Sequence, residues 1–234
     1  IGGNRENPGL FMYENLQMGI NLIESARKSG IKKFIMIGTV CSYPKLTPIP
    51  FKEEYMWDGF PEETNAPYGV AKKTLMLMLQ SYKQQYGLNI TNLVPVNMYG
   101  PHDHFNYNNS HVIPAMILKF YEAAKKQKSE VALWGTGNAS REFLFAPDCA
   151  EAICLAIEKD TDGSPINIGT GVEIKIRDLA EKIADKMGYS GNIVYDSSKP
   201  DGQPRRCLDT TKAISKLGFR AKTDFNTGLE KTIQ

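Results

Sequence analysis

Apolar residues recur at helical spacing across residues 11–29, at Met12, Leu16, Ile20, Leu22 and Ile23, and Gly30 stands where a helix would end. The next run, Lys33-Phe34-Ile35-Met36-Ile37-Gly38, is short and apolar, as a buried strand requires. Helical spacing returns from Pro67 through Tyr68, Ala71, Leu75, Leu77, Leu79 and Tyr82 to Tyr86, with Gly87 as its stop. A second apolar strand follows at residues 90–96. The alternation continues more loosely, with helices predicted at residues 111–124, 147–157 and 176–187 and strands at 130–134, 143–145, 166–168 and 192–195. Residues 197–204 are polar and rich in glycine and proline, a loop with no periodicity, and the chain has no internal repeat.

Strands alternating with helices predict an α/β protein built on a doubly wound parallel sheet, because crossover helices are what join parallel strands. A dinucleotide-binding sheet of this kind opens with a strand, a glycine-rich turn and a helix whose N-terminus holds pyrophosphate. This chain opens at Ile1-Gly2-Gly3 and enters a helix almost directly. The expectation is a Rossmann-like sheet lacking its N-terminal strands, with roughly the first 60 to 70 residues of the domain absent. Gly2 and Gly3 are candidate cofactor contacts on that reading; the alternative is a plain N-terminal loop.

Composition narrows the function classes. With 234 residues and 41% hydrophobic content the chain has enough apolar side chain for one sizeable core or two modest domains. A net charge of +2, from 28 basic and 26 acidic residues interspersed, gives no general attraction to nucleic acid or anionic membrane. No apolar stretch approaches the roughly 20 residues of a membrane span, and no signal-peptide pattern opens the chain, so a cytoplasmic enzyme is expected. Cys41, Cys149, Cys154 and Cys207 show neither a CxxC pair nor zinc-like histidine spacing, so free thiols and no metal site are expected.

The chemistry is concentrated in Tyr68-Gly-Val-Ala-Lys72, which follows a strand leading to Thr39-Val40-Cys41. A spacing of four puts the tyrosine and lysine on one helical face. The ammonium can stabilise the phenolate and make the pair a proton relay near neutrality, with Thr39 orienting the same substrate oxygen. An exposed helix pair is the structural alternative, and the order of the hydroxyl residue, the strand before and the strand after favours the relay. Cys41 read alone is also compatible with a small buried hydrophobe, and His111 with a structural hydrogen-bonder.

Gly38-Thr39-Val40-Cys41-Ser42-Tyr43-Pro44-Lys45, Tyr68-x-x-x-Lys72, Asn97-Met98-Tyr99-Gly100-Pro101, Asn109-Ser110-His111-Val112, Val131 to Gly137, Arg141-Glu142-Phe143-Leu144 and Ser198 to Gly202 resemble, in order and spacing, the GDP-L-fucose synthase family of the extended short-chain dehydrogenase/reductases. The resemblance spans essentially the whole chain. It implies a GDP-sugar substrate, NADP(H) as cofactor, and a homodimer formed through two long helices per subunit, whose counterparts are residues 11–29 and 67–86. It implies the conversion of GDP-4-keto-6-deoxy-D-mannose to GDP-L-fucose, by epimerisation at two carbons beside the ketone and then reduction.

On that resemblance Cys41 is the base and His111 the acid of epimerisation, while Tyr68, Lys72 and Thr39 serve the reduction. Pro95 and Val96, with Tyr68 and Lys72, lie toward the nicotinamide. Asn97 contacts the sugar, and Arg141, Trp134 and Lys119 the nucleotide, with His111 also against the substrate. For Arg141 the alternative is an ion pair with Glu142 or Asp148, and for Trp134 a core position. Lys119 stands where the family has arginine, and Val40 replaces a serine, so it has no hydroxyl to offer. The implied division is a partial dinucleotide-binding domain at 1–97 and 142–170, and a smaller α/β substrate-binding domain at 98–141 and 171–234. Rival readings are another NDP-sugar epimerase, dehydratase or reductase, or a catalytically incomplete sugar-nucleotide-binding fragment.

Overall fold

Pro8 starts the first helix, α1 (Pro8–Lys28), in the turn where a missing N–H costs nothing, and Arg27 and Lys28 complement the dipole of the last turn. The computed structural model describes residues 6–106, 110–199 and 201–234. Gly2 and Gly3, with Asn109 and Pro200 of the quoted motifs, lie outside the described residues. After β1 (Phe34–Ile37) and two 3-10 turns (Val40–Ser42 and Glu53–Trp57) comes α2 (Ala66–Tyr86). It ends, as the sequence predicts, at Gly87, whose φ of 69° is left-handed and suits a residue without Cβ. The two long helices pack along each other, and the Tyr82 hydroxyl of α2 donates to Glu24 of α1 at 3.1 Å.

β2 (Ile90–Pro95) lies between β1 and β6 (Pro165–Ile168), parallel to both, and is buried along its whole length. This is why its sequence runs apolar rather than alternating. Its two polar residues are bonded inside the protein: Asn92 Nδ2 donates to the Gly163 carbonyl at 2.8 Å, and the Thr91 and Thr161 hydroxyls lie 3.1 Å apart. α4 (Ala146–Glu158) packs on β1 and β2. Burying side chains such as Ile90, Leu93, Leu79 and Ile166 stabilises this first core by about 1.5–3 kcal/mol each.

A second core gathers around Phe120 and Ile117 of α3 (Val112–Lys125), Phe143 of β5 (Ser140–Phe145), and Leu179 and Ile183 of α5 (Ile176–Lys186). Two further small sheets belong to this part of the molecule. β3 (Asn97–Tyr99) runs parallel to β5, which pairs antiparallel with β7 (Glu173–Lys175), and β4 (Glu130–Trp134) runs parallel to β8 (Asn192–Asp196). The C-terminal stretch serves both cores: Leu208 and Phe219, with Ala213 and Leu217 of α6 (Thr211–Leu217), join the first, and Leu229 of α7 (Phe225–Ile233) joins the second.

The α/β architecture is the expected one. Its differences from the sequence pattern are β3, β7, α6, α7 and the 3-10 turns. Strands of three residues carry too little alternation to register, and two-turn helices too little periodicity. All four cysteines are free thiols.

Candidate active site

β1 ends beside β2, with the Gly38 N–H donating to the Leu93 carbonyl at 2.7 Å, and the chain then turns through Thr39 into the 3-10 turn that carries Cys41. Thr39 is the cap of that turn: its hydroxyl accepts the Cys41 N–H at 3.2 Å and lies close enough to the Tyr68 hydroxyl to lower its pKa. α2 lies against this turn because Tyr68 is followed by glycine. A Cβ at Gly69 would land on the Cys41 carbonyl oxygen, far inside van der Waals contact. The fit is completed by the buried Ser42 hydroxyl, which donates to the Gly69 carbonyl at 3.0 Å.

Tyr68 and Lys72 share a face, as their spacing requires, with the Lys72 Nζ 5.9 Å from the Tyr68 ring centre. The ammonium reaches the end of β1 and donates to the Ile37 carbonyl at 3.2 Å. Burial lowers the Lys72 pKa from its ordinary value. Burial also raises that of Tyr68, Cys41 adds to the rise, and the Thr39 hydroxyl opposes it. Burial and Cys41 thus act against the phenolate that the sequence pattern leads one to expect the lysine to stabilise.

The sequence reading missed Arg206, which is 9% exposed. Its Nη1 sits 3.8 Å from the Cys41 sulfur, while Nε donates to Gln203 Oε1 at 3.0 Å and Nη2 donates to the same oxygen. No local pattern marks Arg206, which follows the predicted loop and meets Cys41 only through the fold. Glu142 was read only as a possible partner of Arg141. It is fully buried, and its carboxylate accepts the N–H groups of Thr170 at 2.5 Å and of Gly171 and Leu208 at 2.7 Å each. It therefore pins the strand-end loop of β6 to the stretch two residues beyond Arg206. Burial raises its pKa and those three N–H groups oppose the rise.

Arg141 makes neither of the ion pairs considered for it. Glu142 is spent on backbone amides, and Asp148 accepts from Lys222 N, Thr223 N and the Thr223 hydroxyl. The Arg141 guanidinium instead bonds two carbonyls, Ser140 O at 2.7 Å and Asp201 O at 3.2 Å. Burial and the nearby Arg206 charge bring its pKa down to about 10. Asp201 also holds the turn after β4, accepting from the Thr136 N–H and hydroxyl at 2.7 Å each. Two motifs far apart in sequence thus meet beside Arg141.

The remaining candidates are spread wider. Asn97, at the start of β3, donates to the Glu142 carbonyl at 3.4 Å, and Pro95 and Val96 are buried at the end of β2. Trp134 is 68% exposed, so the core alternative for it falls; Lys199 lies 6.0 Å above its ring. Lys119 reaches from α3 to the Ala132 carbonyl of β4 at 3.2 Å. His111 is the exposed N-terminal cap residue of α3, and among the described residues no hydrogen bond joins it to Cys41 or Tyr68. The described residues hold no cluster of three metal-ligating side chains.

A parallel sheet with Thr39, Tyr68 and Lys72 gathered at its carboxyl edge defines the class, and the chain belongs to the NAD dependent epimerase/dehydratase family, whose model matches residues 1–169. It is 40% identical to GDP-L-fucose synthase of Sinorhizobium fredii, in a match covering 100% of this chain and 75% of that protein. Among solved structures it is similar to a GDP-6-OMe-4-keto-L-xylo-heptose reductase from Campylobacter jejuni, with TM-score 0.89 and 30% identity over 97% of this chain and 75% of that one. It is also similar to a GDP-L-fucose synthetase from Naegleria fowleri bound to NADP, with TM-score 0.87 and 28% identity over 94% and 70% of the two chains.

Proposed function

We propose that this chain carries out the epimerisation and NADPH-dependent reduction of GDP-4-keto-6-deoxy-D-mannose to GDP-L-fucose. The observation that carries the reading is the gathering of Thr39, Cys41, Tyr68 and Lys72 at one sheet edge. In the epimerisation, the Cys41 sulfur takes the proton from a carbon beside the ketone. That C–H bond breaks, the S–H bond forms, and the electron pair moves onto the ketone oxygen as an enolate, which the Tyr68 and Thr39 hydroxyls stabilise. A proton returned to the opposite face completes the inversion, and we assign that step to His111. In the reduction, Tyr68 gives its proton to the ketone oxygen, the role its raised pKa suits.

When bound, NADPH supplies the hydride. The residues fit its ribose end: Lys72 Nζ has three N–H donors and spends one on Ile37 O, which leaves donors for ribose hydroxyls beside Tyr68, Pro95 and Val96. Arg141, Lys119, Trp134 and Asn97 hold the GDP-sugar on this reading, the half-buried guanidinium being suited to phosphate oxygens. The domain division we propose is 1–97 with 142–170 for the dinucleotide and 98–141 with 171–234 for the GDP-sugar. The two cores support it, except that Phe143 and Phe145 join the second core and the stretch from Leu208 to Phe219 the first.

We infer a cytoplasmic homodimer without nucleic-acid or membrane partners. The exposed Tyr13, Met18 and Leu22 of α1 and Leu77 of α2 support the pairing, and among the described residues no helix is long and apolar enough to cross a membrane. The test of function is incubation with GDP-4-keto-6-deoxy-D-mannose and NADPH in D2O. Deuterium is expected at both carbons beside the ketone, with oxidation of the nucleotide and GDP-L-fucose as product. A sugar recovered unlabelled, with NADPH unspent, would sink the proposal.

A further inference from the structure

The geometry points to Arg206 as the positioning residue for Cys41: a guanidinium clamped by Gln203 holds the sulfur and balances its negative charge when it acts as base. This rests on the reading of Cys41 given above. Of the groups near the cysteine, Thr39 bonds only its backbone N–H, so the hydroxyl leaves the sulfur free. No hydrogen bond joins the Tyr68 hydroxyl to the sulfur among the described residues, and the Lys72 Nζ donates instead to the Ile37 carbonyl at the end of β1. Among the described residues Arg206 alone hydrogen-bonds the Cys41 sulfur, from Nη1 at 3.8 Å.

The guanidinium has little freedom to leave. Two of its nitrogens donate to one Gln203 oxygen, and the Gln203 amide is itself anchored, its Nε2 donating to the Lys45 carbonyl at 2.7 Å. Lys45 lies four residues beyond Cys41, so the clamp is tied back to the segment that carries the thiol. On the other side, Leu208 N is fixed by Glu142. A charge held in place by neutral amide and backbone groups keeps its full field for the sulfur; a carboxylate partner in the place of Gln203 would neutralise it. The nearby Arg141 adds positive charge of the same sign.

The test is site-resolved alkylation of the intact chain, followed by peptide mass spectrometry with the exposed Cys154 as internal reference. Anionic iodoacetate and neutral iodoacetamide are compared. In Arg206→Met, Cys41 labelling is expected to slow about tenfold, more with iodoacetate than with iodoacetamide, while Arg206→Lys restores most of the rate. A merely structural role moves the other way, since loosened packing exposes the thiol and speeds both reagents. Gln203→Met keeps the charge and removes the clamp, so an intermediate slowing is expected, and it serves if Arg206→Met does not fold. Unchanged or faster Cys41 labelling in whichever variant folds overturns the inference. The alkylation needs no substrate, so it stands or falls independently of the sugar assay; in D2O the same variants are expected to lose substrate deuteration in parallel with labelling.

Discussion

Around the first core the chemistry-bearing side chains are half-buried or buried and held close together, the Thr39 hydroxyl by the Cys41 N–H and the Cys41 sulfur by Arg206. Around the second core Trp134 and His111 stand exposed, and Lys119 bonds a backbone carbonyl. The difference fits the roles proposed for each set. Proton transfer needs groups held within hydrogen-bond reach of the reacting atoms, in surroundings that shift their protonation. A nucleotide arriving from solvent needs open aromatic and cationic surface that it can cover on binding.

The largest effect that separates the two regions is expected from Cys41→Ser. Solvent deuteration of the substrate should fall by about 10³-fold, as measured by NMR or mass spectrometry, because a serine hydroxyl is a far poorer proton acceptor than a thiolate. Deuteration that persists would remove Cys41 as the base. Next comes Gly69→Ala, which adds a methyl where α2 meets the Cys41 carbonyl. Overpacking of this kind costs about 1–3 kcal/mol and lowers Tm by roughly 5 °C in a chain of this size. Calorimetry checks this, and an unchanged Tm would mean that the helix and turn are not pressed together.

On the open side, Trp134→Ala should leave stability within about 0.5 kcal/mol of the parent, since the ring is mostly in water. It should raise KM about tenfold with little change in kcat, the loss of about 1.4 kcal/mol of uniform binding. A fall in kcat at unchanged KM would place the tryptophan in the chemistry instead. The smallest effect concerns Lys72, whose folded pKa is depressed by burial below the ordinary 10.5. Between those two values the unfolded chain binds more protons, so stability rises with pH there. Wild type should therefore gain on Lys72→Met as pH climbs toward 10.5, by about 1 kcal/mol or less in urea titrations. A gap that widens the other way would contradict a buried ammonium.

Much of this comparison was legible in the chain. The helix and strand pattern gave α1, β1, α2 and β2 to within a few residues, and the four-residue spacing of Tyr68 and Lys72 set their shared face. The motif around Cys41 and the one around Tyr68 were readable because each is continuous in sequence. What stayed hidden is long-range: Arg206 lies 165 residues from the sulfur it touches, and Glu142 spends its carboxylate on loops 28 and 66 residues away. The exposure of Trp134 was equally unreadable, since β4 alternates buried and exposed positions and the pattern does not say which face is covered.

The sequence by itself determined the α/β class, the order of the main elements and the shared helical face of Tyr68 and Lys72, because periodicity and spacing are local properties of the backbone. Tertiary structure decided which charges meet. It buried the tyrosine, which pushes its pKa up, and turned the lysine toward the strand end. It also brought a clamped guanidinium to the thiol. Electrostatic energies depend on distance and on exclusion of water, and both are fixed only when remote segments pack.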